Sequence, residues 1–154
     1  GAAGASKIPF DTSALEESEL EPGIRRRPID MVLNGTEIFH FALKEVAPNI
    51  NGLLKTTNFN PDFIILHQAN KLINDTVGKK LGLPPEKLPQ CLHDFGNASS
   101  ASIPLTACVQ LNEVLSSESV NLVIAGFGVG LSWASACLTT NKIYCPPPFF
   151  YSPK

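Results

Sequence analysis

Residues 36–54 carry apolar side chains at three- and four-residue steps, the spacing that gathers them on one face of an α-helix. Asn34 stands just before this segment, where its side chain can cap the first free backbone N–H groups of a helix. The sequence therefore predicts a long amphipathic helix from Thr36 onward. Its predicted buried face consists of Phe39, Ala42, Leu43, Val46, Ile50, Leu53 and Leu54.

The segment FIILHQAN, residues 63–70, changes abruptly from four apolar residues to histidine, glutamine and asparagine. A continuous apolar run is typical of a parallel strand that is covered on both faces, so a buried strand is predicted to end at His67. A second amphipathic helix is predicted over residues 70–81. Gly82 falls where a helix C-cap belongs, and a pair of prolines shortly after it ends any continuation.

A weak strand and a third helix are predicted next. The segment QCLHDF, residues 90–95, is the weak strand. The helix follows a turn at Gly96 and Asn97, and it accommodates Pro104 because proline is tolerated in a first helical turn. Its predicted inner face consists of Ala101, Leu105, Cys108, Leu111 and Leu115.

Residues 120–126 and 131–138 are predicted to form two strands joined by a tight glycine turn, which makes them antiparallel. The proline-rich tail PPPFFYSP is excluded from helix and central strand and is expected to lie over a surface. The order of helices and strands indicates an α/β fold with a mostly parallel mixed sheet flanked by helices. The expected parts are an irregular leading loop with solvated charge runs at 1–35, an α/β domain at 36–138 and the tail at 139–154.

Composition narrows the function classes. Hydrophobic residues make up 44% of the chain and charged residues only 17%, so we expect a partner to cover part of the apolar surface. The net charge of −2 provides no basic footprint for a nucleic acid. No apolar run approaches the roughly 20 residues that span a bilayer, and no signal peptide is recognisable.

The cysteines and the methionine add two expectations. The four cysteines are scattered without CxxC spacing, and Cys108 and Cys137, which lie among small apolar residues, are typical of reduced core thiols in a cytosolic protein, although one disulfide pair stays open. The only methionine is Met31, so the chain does not begin at a translation start. A tag scar, removal of the initiator, or a C-terminal piece of a longer protein each accounts for this.

Candidate chemistry lies in three segments, at residues 66–70, 94–102 and 126–133, each at a predicted strand end or helix start. Sites in open α/β sheets form where such ends converge. His67 and Asn97 would then offer two donors to one acceptor, and the glycine loop would add backbone N–H groups that stabilise an oxyanion or enolate. Taken singly, the three segments also fit a structural histidine, a capping turn and a hairpin.

In their order, the motifs HQAN, GN-x-S-x-A-S-I-P and GFG-x-G-x-S-W resemble the C-terminal half of a β-ketoacyl-acyl-carrier-protein synthase III, a condensing enzyme of the thiolase superfamily. The segment NGTEIFHFAL also resembles this family, and the similarity runs from Gly1 to Leu138. The resemblance implies half of a thiolase-like fold and a homodimeric full enzyme. It further implies fatty acid biosynthesis by decarboxylative Claisen condensation, with acyl-CoA and malonyl-carrier phosphopantetheine as substrates and with no separate cofactor or metal.

The family uses a Cys-His-Asn triad, in which the cysteine carries the acyl group and the other two hold the thioester carbonyl of the malonyl carrier. By position in the motifs, His67 corresponds to the histidine and Asn97 to the asparagine. Gly128, Val129 and Gly130 correspond to the segment that lends an oxyanion-hole N–H. We expect the histidine to stay neutral, with one N–H directed at the carbonyl.

The resemblance also implies contacts with the carrier. Asn70 corresponds to a residue near the pantetheine channel. Leu72 stands where the family places an arginine for docking of the acyl carrier protein, so Lys71, with Lys79 and Lys80, is a candidate replacement. These lysines also fit solvated charges on a helix surface.

The nucleophile of the family belongs to an N-terminal half that this sequence lacks. None of its own cysteines is expected to replace it, since none is predicted beside a base or at the start of a buried helix. The leading expectation is therefore the C-terminal catalytic half of a synthase that is inactive by itself. Alternatives are a non-catalytic half-domain that binds acyl-CoA or the carrier protein, a related acyltransferase of secondary metabolism, and a structural module that completes a dimer.

Overall fold

The computed structural model describes residues 9–30, 34–128, 130–149 and 151–152. The chain forms two compact units that divide between Gly35 and Thr36. In the first unit, a short 3₁₀ turn at Thr12–Leu15 begins at Asp11, whose carboxylate accepts a hydrogen bond of 2.7 Å from Ser13 N–H. An antiparallel hairpin follows, formed by β1 (Ser18–Glu21) and β2 (Ile24–Arg26).

This hairpin corrects the expectation of an irregular loop over the whole leading segment. Glu19 faces Arg25 across the two strands, and opposite charges at facing positions stabilise a strand pair. Gly23 has a φ of 79°, a conformation that glycine adopts without steric cost, and it supplies the turn. The acidic and basic runs therefore lie on the two strands of one hairpin, and Arg25 Nε lies 3.8 Å from a carboxylate oxygen of Glu17.

The long helix predicted from Thr36 onward is confirmed. It consists of α1 (Gly35–Phe41), one π-helical turn (Ala42–Val46) and α2 (Ala47–Thr57), and it ends at Asn58 in the left-handed conformation. The predicted apolar face is largely buried. Its fully enclosed members are Ala42, Val46 and Ile50.

A three-stranded sheet has the order β3-β4-β5, with β3 (Phe63–Leu66), β4 (Ser119–Gly128) and β5 (Ser132–Asn141). The strand β3 pairs in parallel with β4, and β4 pairs antiparallel with β5, as predicted. The helix α3 (Lys71–Leu81) follows β3 and ends at Gly82, whose φ is 67°.

All the regular elements between α3 and β4 are helical. It holds a 3₁₀ turn (Pro85–Lys87), α4 (Leu92–Phe95), a second 3₁₀ turn (Ser99–Ala101), α5 (Ser102–Gln110) and α6 (Asn112–Ser117). The predicted weak strand at 90–95 is wrong. Apart from Cys91 its side chains are at least partly exposed, and the carbonyl of Cys91 accepts from Phe95 N–H, closing a single helical turn.

The inner face of α5 also differs from the prediction at one position. Ala101 is exposed, whereas Ser102 and Thr106 are completely buried. The Thr106 hydroxyl donates to the carbonyl of Ser102 over 2.8 Å, so its polar group is satisfied within the helix. A buried threonine that bonds its own helix in this way packs like an apolar residue.

Each face of the sheet carries its own core. On one face, the helices α1, α2 and α3 pack over Ile64, Leu66, Val123, Ala125 and Phe127. On the other, α5 and α6 cover Ile65, Val120 and Leu122. Burial on both faces explains why the sequence of β3 is apolar without interruption. The carboxyl end of β3 is thereby fixed between two layers of helix.

The strand β5 extends to Asn141, so the tail begins later than the predicted position 139, and no helix or strand forms among its described residues after Asn141. Cys145 is buried beside α5, but the side chains of Phe149 and Tyr151 are 86% and 79% exposed, so they do not cover the surface as expected. Among the described residues, the helices are too short or too polar to reach across a bilayer.

Candidate active site

His67 is the first residue after β3, and the parallel ladder determines its position. Leu66 lies opposite Ala125 of β4, and His67 N–H donates to the carbonyl of Ala125 over 2.8 Å. The chain leaves the sheet at this residue with its backbone still held. The imidazole is half-buried at the carboxyl end of the sheet.

The imidazole packs against the ring of Phe127, with centroids 5.5 Å apart and planes at 84°. Burial lowers the pKa of His67 below its usual value, and a hydrogen bond with the backbone of Ser99 acts in the opposite direction. A hydrogen bond raises the pKa of a histidine when a ring N–H donates to a carbonyl, so the ring of His67 is the donor and Ser99 the acceptor. The ring is therefore predominantly neutral at pH 7 with one N–H engaged.

Asn97 lies on the loop between α4 and the 3₁₀ turn, directly after Gly96, which has a φ of 62°. Its Oδ1 accepts a hydrogen bond of 2.9 Å from Ser99 N–H. Ser99 itself has a φ of 52°, and its backbone also bonds the ring of His67. His67 and Asn97 thus bond the backbone of one shared residue, Asn97 as an acceptor, while the Nδ2 of Asn97 meets no acceptor among the described residues.

The glycine segment is partly strand and partly turn. Gly128 ends β4 opposite Ser132, whereas Gly130 lies in the turn with a φ of 139°. A Cβ at Gly130 would collide with the side chain of Ser132, so both the space and the conformation require glycine. Val129 lies outside the described residues. The backbone donors expected at 128–130 remain a prediction, although Phe127 places the start of this turn beside His67.

Asn70 and Lys71 lie where HQAN becomes helix. The Oδ1 of Asn70 caps α3 by accepting from Leu72 N–H at 2.8 Å and from Ile73 N–H at 3.3 Å. Lys71 pairs with Asp75 one helical turn away, so its charge is partly compensated. An open depression of about 800 Å³ reaches from these residues to Asn97. It joins the end of the first motif to the start of the second.

Gln68 is a residue of the HQAN motif to which the sequence alone assigns no role. Its side chain is 0% exposed, with Nε2 donating to the carbonyl of Leu66 and Oε1 accepting from Cys91 N–H. A glutamine two residues after a buried strand is the available signal, since a buried carboxamide requires partners for both of its ends.

All four cysteines are free thiols, so the open possibility of a disulfide is not realised. Cys91 and Cys145 are buried, and burial together with the neighbouring Cys108 raises the pKa of Cys145. Cys137 contacts the hydroxyl of Thr57, Cys91 contacts that of Thr106, and the sulfurs of Cys108 and Cys145 lie 3.9 Å apart. Among the described residues, no basic side chain therefore activates a thiol. Those residues also bring together no group of three or more side chains suited to a metal ion.

Comparison with known proteins matches the family model of the 3-oxoacyl-[acyl-carrier-protein] synthase III C terminal over residues 55–140. A β-ketoacyl-[acyl-carrier-protein] synthase III from Streptococcus sanguinis (strain SK36) is 37% identical over 138 residues, which cover 86% of this chain and 40% of that protein. One from Prochlorococcus marinus (strain MIT 9215) is 43% identical over 118 residues, covering 72% of this chain and 33% of that protein.

Solved structures agree in fold. The 3-oxoacyl-(acyl-carrier protein) synthase from Burkholderia xenovorans LB400 superposes with a TM-score of 0.75 at 35% identity, over 79% of this chain and 36% of that one. A 3-oxoacyl-(acyl-carrier-protein) synthase III crystal structure superposes with a TM-score of 0.73 at 30% identity, over 90% of this chain and 42% of that one. The chain therefore has a thiolase-like α/β fold and spans less than half the length of these relatives. It belongs to the 3-oxoacyl-[acyl-carrier-protein] synthase III family, whose C-terminal part it matches.

Proposed function

We propose that this chain is the C-terminal catalytic half of a ketoacyl synthase III-type enzyme, which condenses an acyl-CoA with a malonyl carrier protein. The observation that carries the proposal is the convergence of His67 and Asn97 on Ser99 at the carboxyl end of β3. Both side chains bond the backbone of one residue, and two neutral donors that reach one carbonyl oxygen would stabilise the negative charge that develops on it.

In the proposed reaction, His67 and Asn97 donate to the thioester oxygen of the malonyl group. The bond to the terminal carboxylate breaks, carbon dioxide leaves, and the electron pair is held as an enolate at that oxygen. The enolate carbon then forms a bond to the acyl carbon of the acyl-enzyme, and the cysteine thiolate leaves. Stabilising the enolate lowers the barrier to decarboxylation because its charge appears only during the reaction.

A neutral imidazole has a single N–H, and Ser99 accepts from that of His67 in this chain. We propose that the thioester oxygen takes the place of the Ser99 carbonyl when substrate binds. Asn97 contributes Nδ2, while its Oδ1 keeps its bond to Ser99 N–H. Asn97 thus donates independently of pH, and His67 donates as a neutral group because burial lowers its pKa.

We propose that the nucleophilic cysteine comes from another part of the enzyme. The four thiols of this chain lack a basic partner among the described residues, and the chain covers 40% or less of the two synthases compared by sequence. By itself the chain is expected to be inactive. The acyl carrier protein is the proposed partner at Lys71 and the exposed Leu72, and the homodimeric state and cytoplasmic location remain predictions.

The test separates the two half-reactions in enzyme that includes the cysteine-bearing half. His67→Ala and Asn97→Ala are expected to abolish decarboxylation of malonyl carrier while leaving transfer of radiolabelled acyl groups to cysteine intact. His93→Ala is the matched control, since the side chain of His93 is 98% exposed. Equal loss of acylation and condensation would contradict these roles, and binding of CoA esters without condensation in the unmodified enzyme would favour the non-catalytic alternative.

A further inference from the structure

Gln68 joins the end of β3 to a segment more than twenty residues further along the chain. Its Nε2 donates to the carbonyl of Leu66 at 2.8 Å, and its Oε1 accepts from Cys91 N–H at 3.1 Å. The side chain is completely buried, so water does not compete for either bond. One carboxamide therefore fixes the distance between the strand that precedes His67 and the start of α4.

The connection continues from Cys91 into α5. The sulfur of Cys91 lies 3.1 Å from the Oγ1 of Thr106, and that hydroxyl donates to the carbonyl of Ser102 at 2.8 Å. Because the single hydroxyl proton of Thr106 is used in the second bond, Cys91 S–H is the donor in the first. Cys91 is 2% exposed and Thr106 is 0% exposed, so this part of the network is also shielded from water.

The network holds the Asn97 loop at both ends. Cys91 directly precedes α4, which leads through Gly96 to Asn97, and Thr106 lies in α5 after the loop. Gln68 is covalently adjacent to His67. The hydrogen bond between His67 and the Ser99 backbone closes this frame on the solvent side until the substrate oxygen replaces it. Both candidate donors are thus attached to one continuous set of buried hydrogen bonds.

We propose that Gln68 is a positioning residue, which through Cys91 and Thr106 fixes Asn97 relative to His67 for decarboxylation. This inference rests on the proposed function of the two donors. Two hydrogen bonds to one oxygen form only when both donors lie within about a few tenths of an ångström of their productive positions. A loosened loop therefore weakens the stabilisation of the enolate more than it weakens the binding of substrate. Gln68 itself does not touch the substrate.

A purely structural glutamine would produce a different pattern on substitution. In Gln68→Glu, a protonated carboxyl still offers an O–H to Leu66 and a carbonyl oxygen to Cys91 N–H, whereas a carboxylate has no donor. Burial raises the pKa of such a carboxyl above the ordinary value of about 4.3. The positioning role therefore predicts that the decarboxylation defect of Gln68→Glu shrinks as the pH falls from about 8 to about 6, whereas that of Gln68→Met does not.

The experiment uses the same assembled enzyme and measures kcat and KM for decarboxylation, together with acylation of the cysteine. Gln68→Met is expected to lower kcat by about tenfold or more with KM and acylation unchanged. Gln90→Met is the matched control, because Gln90 adjoins Cys91 but bonds Asp75 of α3. An unchanged kcat in Gln68→Met would overturn the proposal. If Gln68→Met does not fold, Gln68→Glu decides the question, and a defect that is independent of pH would also overturn it.

A second measurement separates this inference from the proposed function. Hydrogen exchange at Ser99 N–H reports how firmly the Asn97 loop is held, and it needs only the present chain. Gln68→Met, or Gln68→Glu at about pH 8, is expected to raise this exchange rate about tenfold or more. Unchanged exchange would overturn the frame. If the unmodified enzyme does not decarboxylate malonyl carrier but the variants exchange faster, the hydrogen-bonded frame is retained. Only the assignment of His67 and Asn97 as catalytic donors is then overturned.

Discussion

His67 and Asn97 contact Ser99 through different backbone groups: the ring of His67 bonds its carbonyl, and the Oδ1 of Asn97 accepts from its N–H at 2.9 Å. They are thirty residues apart in sequence and lie on loops from different elements. His67 lies at the carboxyl end of β3, whereas Asn97 lies on the loop after α4, and the buried hydrogen bond from Cys91 N–H to Gln68 Oε1 holds the start of α4 beside that strand end.

Stability should depend on pH through His67. Burial lowers its pKa in the folded chain, so the unfolded chain binds a proton more readily. The neutral ring therefore contributes stability above the ordinary histidine pKa of about 6.5, and that stability is lost as the pH falls from there through the folded pKa. Urea unfolding between about pH 7.5 and about pH 5 should show this slope, reduced in His67→Gln. His93→Gln should retain it, and an undiminished slope in His67→Gln would contradict the assignment.

Phe127 should govern the environment of the His67 ring. Phe127→Leu removes the edge-to-face contact at 5.5 Å and opens the site to water, so the pKa of His67 should rise toward its usual value. A ¹H–¹³C NMR titration of the imidazole measures this change. Phe41→Leu is the matched control, because Phe41 packs in the same core but contacts Trp133. Equal shifts in both variants would indicate general loosening of the core.

Two glycines should respond to alanine in opposite directions. Gly52 lies inside α2 with open space at the position of a Cβ, so Gly52→Ala should stabilise the chain by about 0.5–1 kcal/mol. Gly82 ends α3 with a φ of 67°, so Gly82→Ala should destabilise it by about 1 kcal/mol. Urea unfolding of the two variants measures both signs. A gain in Gly82→Ala would show that this helix end is not held in the left-handed conformation.

Local sequence patterns predicted most of the helices and strands, because buried side chains recur along the chain with the period of the helix or strand that carries them. The apolar run at 63–66, the three-and-four spacing of α1 and α2, and the glycine after α3 all report contacts within a few residues. The predicted end of the strand at 63–66 also placed His67 correctly, whereas Asn97 was expected after a strand at 90–95 and instead follows the helix α4. Their chemical roles came from the motifs and their resemblance to a family.

The features that were missed depend on partners distant in sequence or on pairs of charges. Gln68 meets Cys91, and Cys91 meets Thr106, across separations that no periodicity reports. Glu19 and Arg25 lie opposite each other in a hairpin, in a segment whose charge runs resemble a solvated loop. Buried polar residues such as Thr106 also lie outside an apolar pattern, although their side chains are buried in the core.

Asn70 has a demonstrated local contact and a proposed distant one, and two substitutions separate them. Its Oδ1 caps α3, so Asn70→Ala should cost about 1 kcal/mol of stability, measured by urea unfolding. Asn70→Asp keeps the accepting oxygen and adds a charge that suits a helix N-terminus, so stability should be retained. Asn70→Asp nevertheless loses the amide N–H₂ group that would face the pantetheine arm of the substrate.

If Asn70 binds pantetheine through that amide, Asn70→Asp should raise the KM for malonyl carrier in the assembled enzyme while the fold keeps its stability. The measurement compares KM with the midpoint of urea unfolding for Asn70→Ala and Asn70→Asp. An Asn70→Asp enzyme with the original KM would limit Asn70 to its capping role. The depression of about 800 Å³ beside it would then have to bind the carrier's arm through other groups, of which Lys71 and Asn97 are on its lining.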